Sequence, residues 1–346
     1  MLKRLIISGL IIVAVAAMVG CEDDPPVVVG GEFNTVLLRP ERFPTLFEGL
    51  VYEVWLTKFD EDSNWVEPQS LGRFFWNEFD YRFLEPDANQ AVRDSMFKLS
   101  TGDVYDYEMI AITLEEYPTD ESPDPSATIV AQSRIVRDIS TFMRFPVNFD
   151  GIEPGTFVVA TFSDGNWRSF GDADTASERY GIWFLNLTLG GTGLETDEKY
   201  ADGITLPVLP DTGYLYEGWV ALEGGDTVST GKFFYPDYLD YDNSHCKLRA
   251  IPNFPGEDFL VDKPAWIKGT WPLEITRGGV TFVTVEPNPD NDLQRPSNLV
   301  VLRGNLPKRT PEMKNRYRDL RSTNFPIGSV AGVTFPKLEA VFLHTP

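Results

Sequence analysis

Tyr52-Glu53-Val54-Trp55-Leu56 returns later in the same chain as Tyr216-Glu217-Gly218-Trp219-Val220. Each copy follows a glycine (Gly49, Gly213) and a large apolar residue (Val51, Leu215). After a loop, Ser70-Leu71-Gly72-Arg73-Phe74-Phe75 in the first copy matches Ser229-Thr230-Gly231-Lys232-Phe233-Phe234 in the second. The loop is five residues longer in the first copy. Further on, residues 112–132 align with residues 283–303 without a gap. Thr113 then matches Thr284, Glu115 matches Glu286, Pro118 matches Pro289, Pro125-Ser126 matches Pro296-Ser297 and Val130 matches Val301. Three blocks in one order predict two copies of one domain. Their period is too long for a solenoid, whose repeats are ~20–50 residues. Each copy is long enough to bury a core of its own.

The length of 346 residues agrees with two domains. The strands expected in the first copy are Asn34–Leu38, Leu50–Lys58, Leu71–Trp76, Tyr105–Leu114 and Thr128–Arg134. Those of the second are Phe157–Phe162, Gly181–Leu187, Tyr214–Leu222, Gly231–Tyr235, Val280–Glu286 and Leu299–Arg303. All are short, rich in Val, Ile, Thr, Tyr and Phe, and bounded by Gly, Pro, Asn and Asp. This texture predicts an all-β chain of two tandem immunoglobulin-like antiparallel β-sandwich domains with little helix. Short helices are expected only within Asp87–Leu99 and over Pro311–Leu320. The boundary is placed near 150, giving domains over 33–150 and 151–346, the second with a C-terminal extension. No flexible linker lies at the boundary, so the domains are expected to touch. Strand alternation puts Tyr52 and Val54 on one face and Glu53 and Trp55 on the other. Because Gly218 stands where Val54 does, the tryptophan face is expected to be the main core, anchored by Trp55 and Trp219. The fold-anchoring repeat positions are Tyr52, Trp55, Gly72, Phe74, Tyr216, Trp219, Gly231 and Phe233.

A net charge of −22 argues against nucleic acid as a partner. Two His and two Cys leave little for a transition-metal site. Lys3 and Arg4 precede an apolar run over residues 5–20, which reads as a secretory signal. The junction Met18-Val19-Gly20-Cys21 resembles the bacterial lipobox, which implies lipidation of Cys21 and a membrane anchor. Residues 21–32 then form an acidic, proline-containing tether.

Tyr52, Trp55, Ser70, Gly72, Phe74, Thr113 and Glu115 form a pattern repeated by Tyr216, Trp219, Ser229, Gly231, Phe233, Thr284, Glu286 and Pro287. The pattern resembles the C-terminal, extracytoplasmic domain of anti-sigma-K factors, over about half of each copy. The resemblance implies an envelope β-sandwich. It does not extend to sigma-factor binding, because the cytoplasmic domain and the membrane-spanning helix of that family have no counterpart after the signal.

Several constellations invite chemistry. Glu53/Glu217 and Glu115/Glu286 are repeated carboxylates, readable as acid/base pairs or as structural acceptors for turn amides. The structural reading is preferred, since a catalytic site is seldom needed twice. Asp237, Asp240, Asp242 and Asn243 offer oxygens for calcium, without the EF-hand spacing. Asp60–Asn64 and Asp290-Asn291-Asp292 are weaker versions. His245 and Cys246 are adjacent, so on a strand they point apart. Cys246 then reads as a small buried residue rather than a nucleophile. Trp65, Trp76 and Trp167 lie in or beside loop-like stretches and could stack on sugars or a partner, or pack at an edge. The expectation is a non-catalytic, lipid-anchored cell-envelope module for interaction, sensing or structure. Its partner would be an envelope protein or polymer, and no catalytic residue, cofactor or required metal is expected. The alternative is a secreted glycan-binding protein or hydrolase using loop Trp residues and carboxylates.

Overall fold

The computed structural model describes residues 32–44, 49–86, 91–92, 95–120, 122–163, 178–187, 200–210, 213–247, 253–290, 292–308 and 323–345. Cys21, Trp167 and the helix expected over Pro311–Leu320 lie outside these residues. In chain order the first strands are β1 (Thr35–Arg42), β2 (Leu50–Phe59), β3 (Trp65–Asn77), β4 (Arg82–Leu84) and β5 (Met96–Lys98). They are followed by β6 (Met109–Glu116), β7 (Ile129–Arg134) and β8 (Ser140–Arg144). Next come β9 (Gly155–Phe157), β10 (Gly181–Trp183), β11 (Leu185–Leu187), β12 (Tyr200–Asp202), β13 (Gly213–Leu222) and β14 (Thr227–Phe233). The rest are β15 (Gly256–Asp258), β16 (Gly279–Asn288), β17 (Val300–Asn305), β18 (Phe325–Ser329), the single-turn helix α1 (Ala331–Thr334) and β19 (Lys337–Leu343). The chain is all-β and antiparallel, with large curled sheets, as its alternation predicted.

One nine-stranded sheet has the order β4-β3-β2-β6-β7-β8-β19-β1-β5, and a six-stranded sheet has the order β14-β13-β16-β17-β18-β9. The duplication is visible in them. The run β3-β2-β6-β7 of the first sheet is repeated as β14-β13-β16-β17 in the second. Register shifts fall at matching places, between Val54 and Trp55 and between Gly218 and Trp219. Opposite them stand Gly72 (φ 135°) and Gly231 (φ 103°), in backbone that favours glycine. The first sheet curls until β3 meets β5, enclosing one core. The second encloses its own with help from Ile182 of the ribbon β10-β15, while Leu185 and Tyr200 of the ribbon β11-β12 pack into a smaller cluster with Trp183 and Cys246.

In both copies the main core lies on the tyrosine face, which corrects the expectation that the tryptophan face would supply it. Tyr52, Val54, Leu56 and Phe74 belong to the first core, and Tyr216, Val220 and Phe233 to the second. Gly218 leaves no hole there. A Cβ on it would lie 2.6 Å from the Phe184 ring and 2.1 Å from Thr230 Oγ1, so neighbours fill the place that Val54 fills for itself. Trp55 and Trp219 are buried too, on the opposite face. Trp76, expected near a loop, is a buried member of the first core beside Phe43 and Phe83. In the stretch expected to hold a helix near residue 90, Met96–Lys98 is instead an edge strand paired with β1.

The end of the chain departs from a linear division at 150. β19 lies between β8 and β1 in the first sheet, because its alternation buries Leu338, Ala340 and Phe342 in the first core. The chain thus crosses between the units twice. Phe145 and Phe149 on the outward segment pack against Phe335 on the return, with ring centroids 5.0 and 4.4 Å apart. The units also touch directly, where the Tyr214 hydroxyl donates to the Ile129 carbonyl at 3.1 Å.

Candidate functional site

On the tryptophan face each copy builds the same polar latch. Trp55 Nε1 donates to Thr113 Oγ1 at 2.9 Å, and Trp219 Nε1 to Thr284 Oγ1 at 2.9 Å. Each threonine hydroxyl in turn donates a hydrogen bond to the carboxylate two residues on, Glu115 or Glu286, on the same strand face. That carboxylate then receives a turn amide: Ser126 N donates to Glu115 at 3.0 Å, and Ser297 N to Glu286 at 2.9 Å. The two serine hydroxyls close the motif by donating to the carbonyls of Leu114 and Val285, each at 2.7 Å. A buried tryptophan N–H, a hydroxyl and a turn amide are thereby all satisfied. The repeated carboxylates Glu115 and Glu286 are thus engaged as acceptors for turn amides in both copies. Burial raises the Glu115 carboxyl above its ordinary value and pushes Glu286 up to about 7.

Beside the latch sits the second repeated pair, and here the copies part. Ser70 and Ser229 donate to Glu53 and Glu217 alike, at 2.5 Å each. In the first copy Arg73 Nε donates to Glu53 Oε2 at 2.7 Å, while its Nη2 donates to Asp120 at 2.8 Å. A guanidinium fork can serve two carboxylates at once. In the second copy Lys232 Nζ donates to Asp290 at 2.7 Å and stays 3.7 Å from Glu217 Oε2. Glu217 Oε2 is therefore buried without a hydrogen bond. Burial, against the opposing pull of Ser229 and Lys232, pushes the Glu217 carboxyl up to about 8. Oxygens of Glu217, Glu286 and Asp290 approach within 4.8 Å of one another, as metal ligands would. The Lys232 ammonium already supplies the positive charge at this place, as Arg73 does in the first copy.

The face of β13 that carries Leu215 and Glu217 also forms the floor of a cleft of about 390 Å³. The segment after β14, β15 and the stretch through Trp266 make its walls. Glu257, 1% exposed, is its second buried carboxyl. Its Oε1 accepts from the Cys246 thiol and from Asp258 N, while its Oε2 has no hydrogen-bond partner. Burial pushes Glu257 up to about 9, helped by neighbouring Asp240, and pushes the Cys246 thiol up as well. Asp258, on the other face of β15, accepts from Ser163 N at 2.6 Å and from Phe162 N at 3.3 Å. Burial nonetheless raises it to about 6.

The residues considered for calcium differ in burial. Asp237 and Asp242 are exposed, whereas Asp240 is buried against Gly231 and accepts from Gly256 N at 3.3 Å. Asp60 is engaged with its own loop, accepting from Asn64 N at 2.7 Å. His245 Nδ1 lies 3.1 Å from the Asp262 carbonyl, while Cys246 points to Glu257, so these neighbours do face apart. Trp65 opens β3 and is half-buried. Sequence reasoning missed Glu257 and Trp266. Glu257 lies in an unpatterned stretch after Pro255-Gly256, and only the fold carries it to the cleft that Glu217 also lines.

Comparison with known proteins finds no matching family model, no matching curated protein and no matching solved structure. Among the described residues no helix is long and apolar enough to cross a membrane.

Proposed function

We propose that this chain is a non-catalytic cell-envelope lipoprotein, an interaction, sensing or structural module built of two copies of an anti-sigma-factor-like β domain and anchored through Cys21. One observation carries the non-catalytic reading. Both copies use the repeated carboxylates Glu115 and Glu286 in the same way, as acceptors for a threonine hydroxyl and a turn amide. A group committed to holding its own turn is poorly placed to move a substrate proton. The burial of Trp76 removes one of the tryptophans on which the glycan-binding or hydrolase alternative relied. The anchor rests on the junction Gly20-Cys21 after an apolar run.

Cell fractionation tests the anchor: wild type should sediment with membranes, and Cys21→Ser should be released. Membrane retention of Cys21→Ser would overturn it. Cross-linking on intact envelopes should then recover an envelope protein or polymer with the wild type. Hydrolysis of an envelope polymer that disappears in Glu53→Gln or Glu217→Gln would overturn the non-catalytic reading.

A further inference from the structure

We infer that the cleft of the second unit is a binding site for an organic cation, an ammonium or guanidinium group on a short apolar or aromatic stem. The inference goes beyond the envelope-module reading and holds whether or not Cys21 is lipidated. It begins with two anomalies. Glu217 and Glu257 are 3% and 1% exposed, line the same cleft, and each leaves one carboxyl oxygen without a hydrogen bond. Leaving buried acceptors unpaired is costly, so native chains seldom keep two in one cavity without a use. A ligand bearing N–H donors satisfies both.

Charge selects among such ligands. Asp242 and Asp262 line the cleft beside the two glutamates, and the whole chain carries −22. Against them stand Lys232, already bound to Asp290, and His245, which burial shifts toward its neutral form. This field draws cations in and repels anions. A bare metal ion fits less well. The acidic oxygens that crowd within 4.8 Å here are those of Glu217, Glu286 and Asp290, where Lys232 sits, and Glu257 is not among them. An ammonium needs no such tight cage. Tyr241 and Trp266, 65% and 40% exposed, stand at the cleft and offer ring faces to a cation and its stem. The volume of about 390 Å³ suits a small molecule or one long basic side chain. In the first copy Arg73 satisfies Glu53, the counterpart of Glu217.

Binding should be linked to protons. Glu217 faces Ser229 and Lys232 on β14 and Glu286 and Asp290 from β16 onward; Glu257 faces Asp240, Cys246 and its neighbour Asp258. In these surroundings both carboxyls hold a proton at neutral pH, and a bound ammonium must displace it. Affinity should rise with pH.

Calorimetry on the full chain with benzylamine, at about pH 6 and about pH 8, tests the idea. Benzyl alcohol, methyl glucoside and calcium chloride serve as separate arms. Benzylamine should bind saturably, about tenfold or more tighter at the higher pH. Proton release should show as a difference between buffers of unlike ionisation heat. Glu257→Gln should reduce the pH dependence to the part that Glu217 contributes, and Trp266→Ala should weaken binding several-fold with unchanged circular dichroism. If Glu257→Gln fails to fold, the rim variant and the pH dependence of the wild type decide. No heat with benzylamine at either pH overturns the proposal. So does equal binding of benzyl alcohol, tighter binding of methyl glucoside, or calcium binding in place of the amine.

Discussion

The two copies share a backbone course, a bulge, a tryptophan and a latch, yet among the described residues the unsatisfied carboxyls Glu217 and Glu257 line a cleft of the second. The difference begins at one aligned position. Arg73 reaches Glu53 and Asp120 together, whereas Lys232 commits its single ammonium to Asp290. An arginine-to-lysine exchange looks conservative by charge. At a site asking for a fork of donors, it leaves a buried acceptor over. A second difference lies on the core face. Val54 fills its own space, while at Gly218 the ring of Phe184 and the side chain of Thr230 take that volume. Duplicated domains can therefore keep the hydrogen bonds that define the fold and diverge where neighbouring elements supply volume or charge.

The largest expected effect tests whether the latches are equivalent. Trp55→Ala and Trp219→Ala should each destabilise their own unit by about 3–5 kcal/mol, since each removes a buried ring and a donor to a threonine. Urea melts followed by unit-specific probes check this, and a loss in one unit alone would break the comparison. Next, Gly218→Val should cost up to about 3 kcal/mol, because its methyls would enter the space of Phe184 and Thr230. The same melts should find the second unit affected and the first unchanged.

The pH response is smaller. Glu217, Glu257 and Glu286 keep their protons in the folded state up to about 8, about 9 and about 7, respectively, against an ordinary value of 4.5. Between these limits the folded chain binds more protons than the unfolded one. The stability they contribute is thus full below the ordinary value and is lost as pH rises through the folded values. Raising the pH from about 8 to about 9 should lower the second unit's stability by about 1.5 kcal/mol more than the first's. Lys232→Arg should reduce that difference by giving Glu217 the fork that Glu53 has, and thermal melts across pH would show it. The smallest effect concerns the turns. Ser126→Ala and Ser297→Ala should each cost about 1 kcal/mol, since each hydroxyl accepts from an amide at 3.2 Å while bonding a carbonyl. Hydrogen exchange at Thr128 and Leu299 should rise in the respective variants.

Much of the latch was legible in the chain. The spacing Thr113-x-Glu115 and the matched Ser126 align with Thr284-x-Glu286 and Ser297, and alternation puts hydroxyl and carboxylate on one face. The face of the main core was not legible. Gly218 read as a gap because the ring that fills it comes from Phe184, far away in sequence. β4 and β5 were missed because strands of three residues carry too little alternation to stand out. β19 alternates clearly, but no local pattern says which sheet will take it.

The sequence by itself determined that this protein is β throughout, that it contains one unit twice, and that each copy carries a tryptophan and, further on, threonine, glutamate and serine at fixed intervals. These follow from period and repetition, which are local. Tertiary structure alone decided the rest. It brought Glu257 and Glu217 to one cleft, it returned β19 to the first sheet, and it let Arg73 reach Asp120 while Lys232 stopped at Asp290. Each of those outcomes depends on which distant groups share a volume and on how many donors reach it, and such contacts leave no periodic trace along a chain.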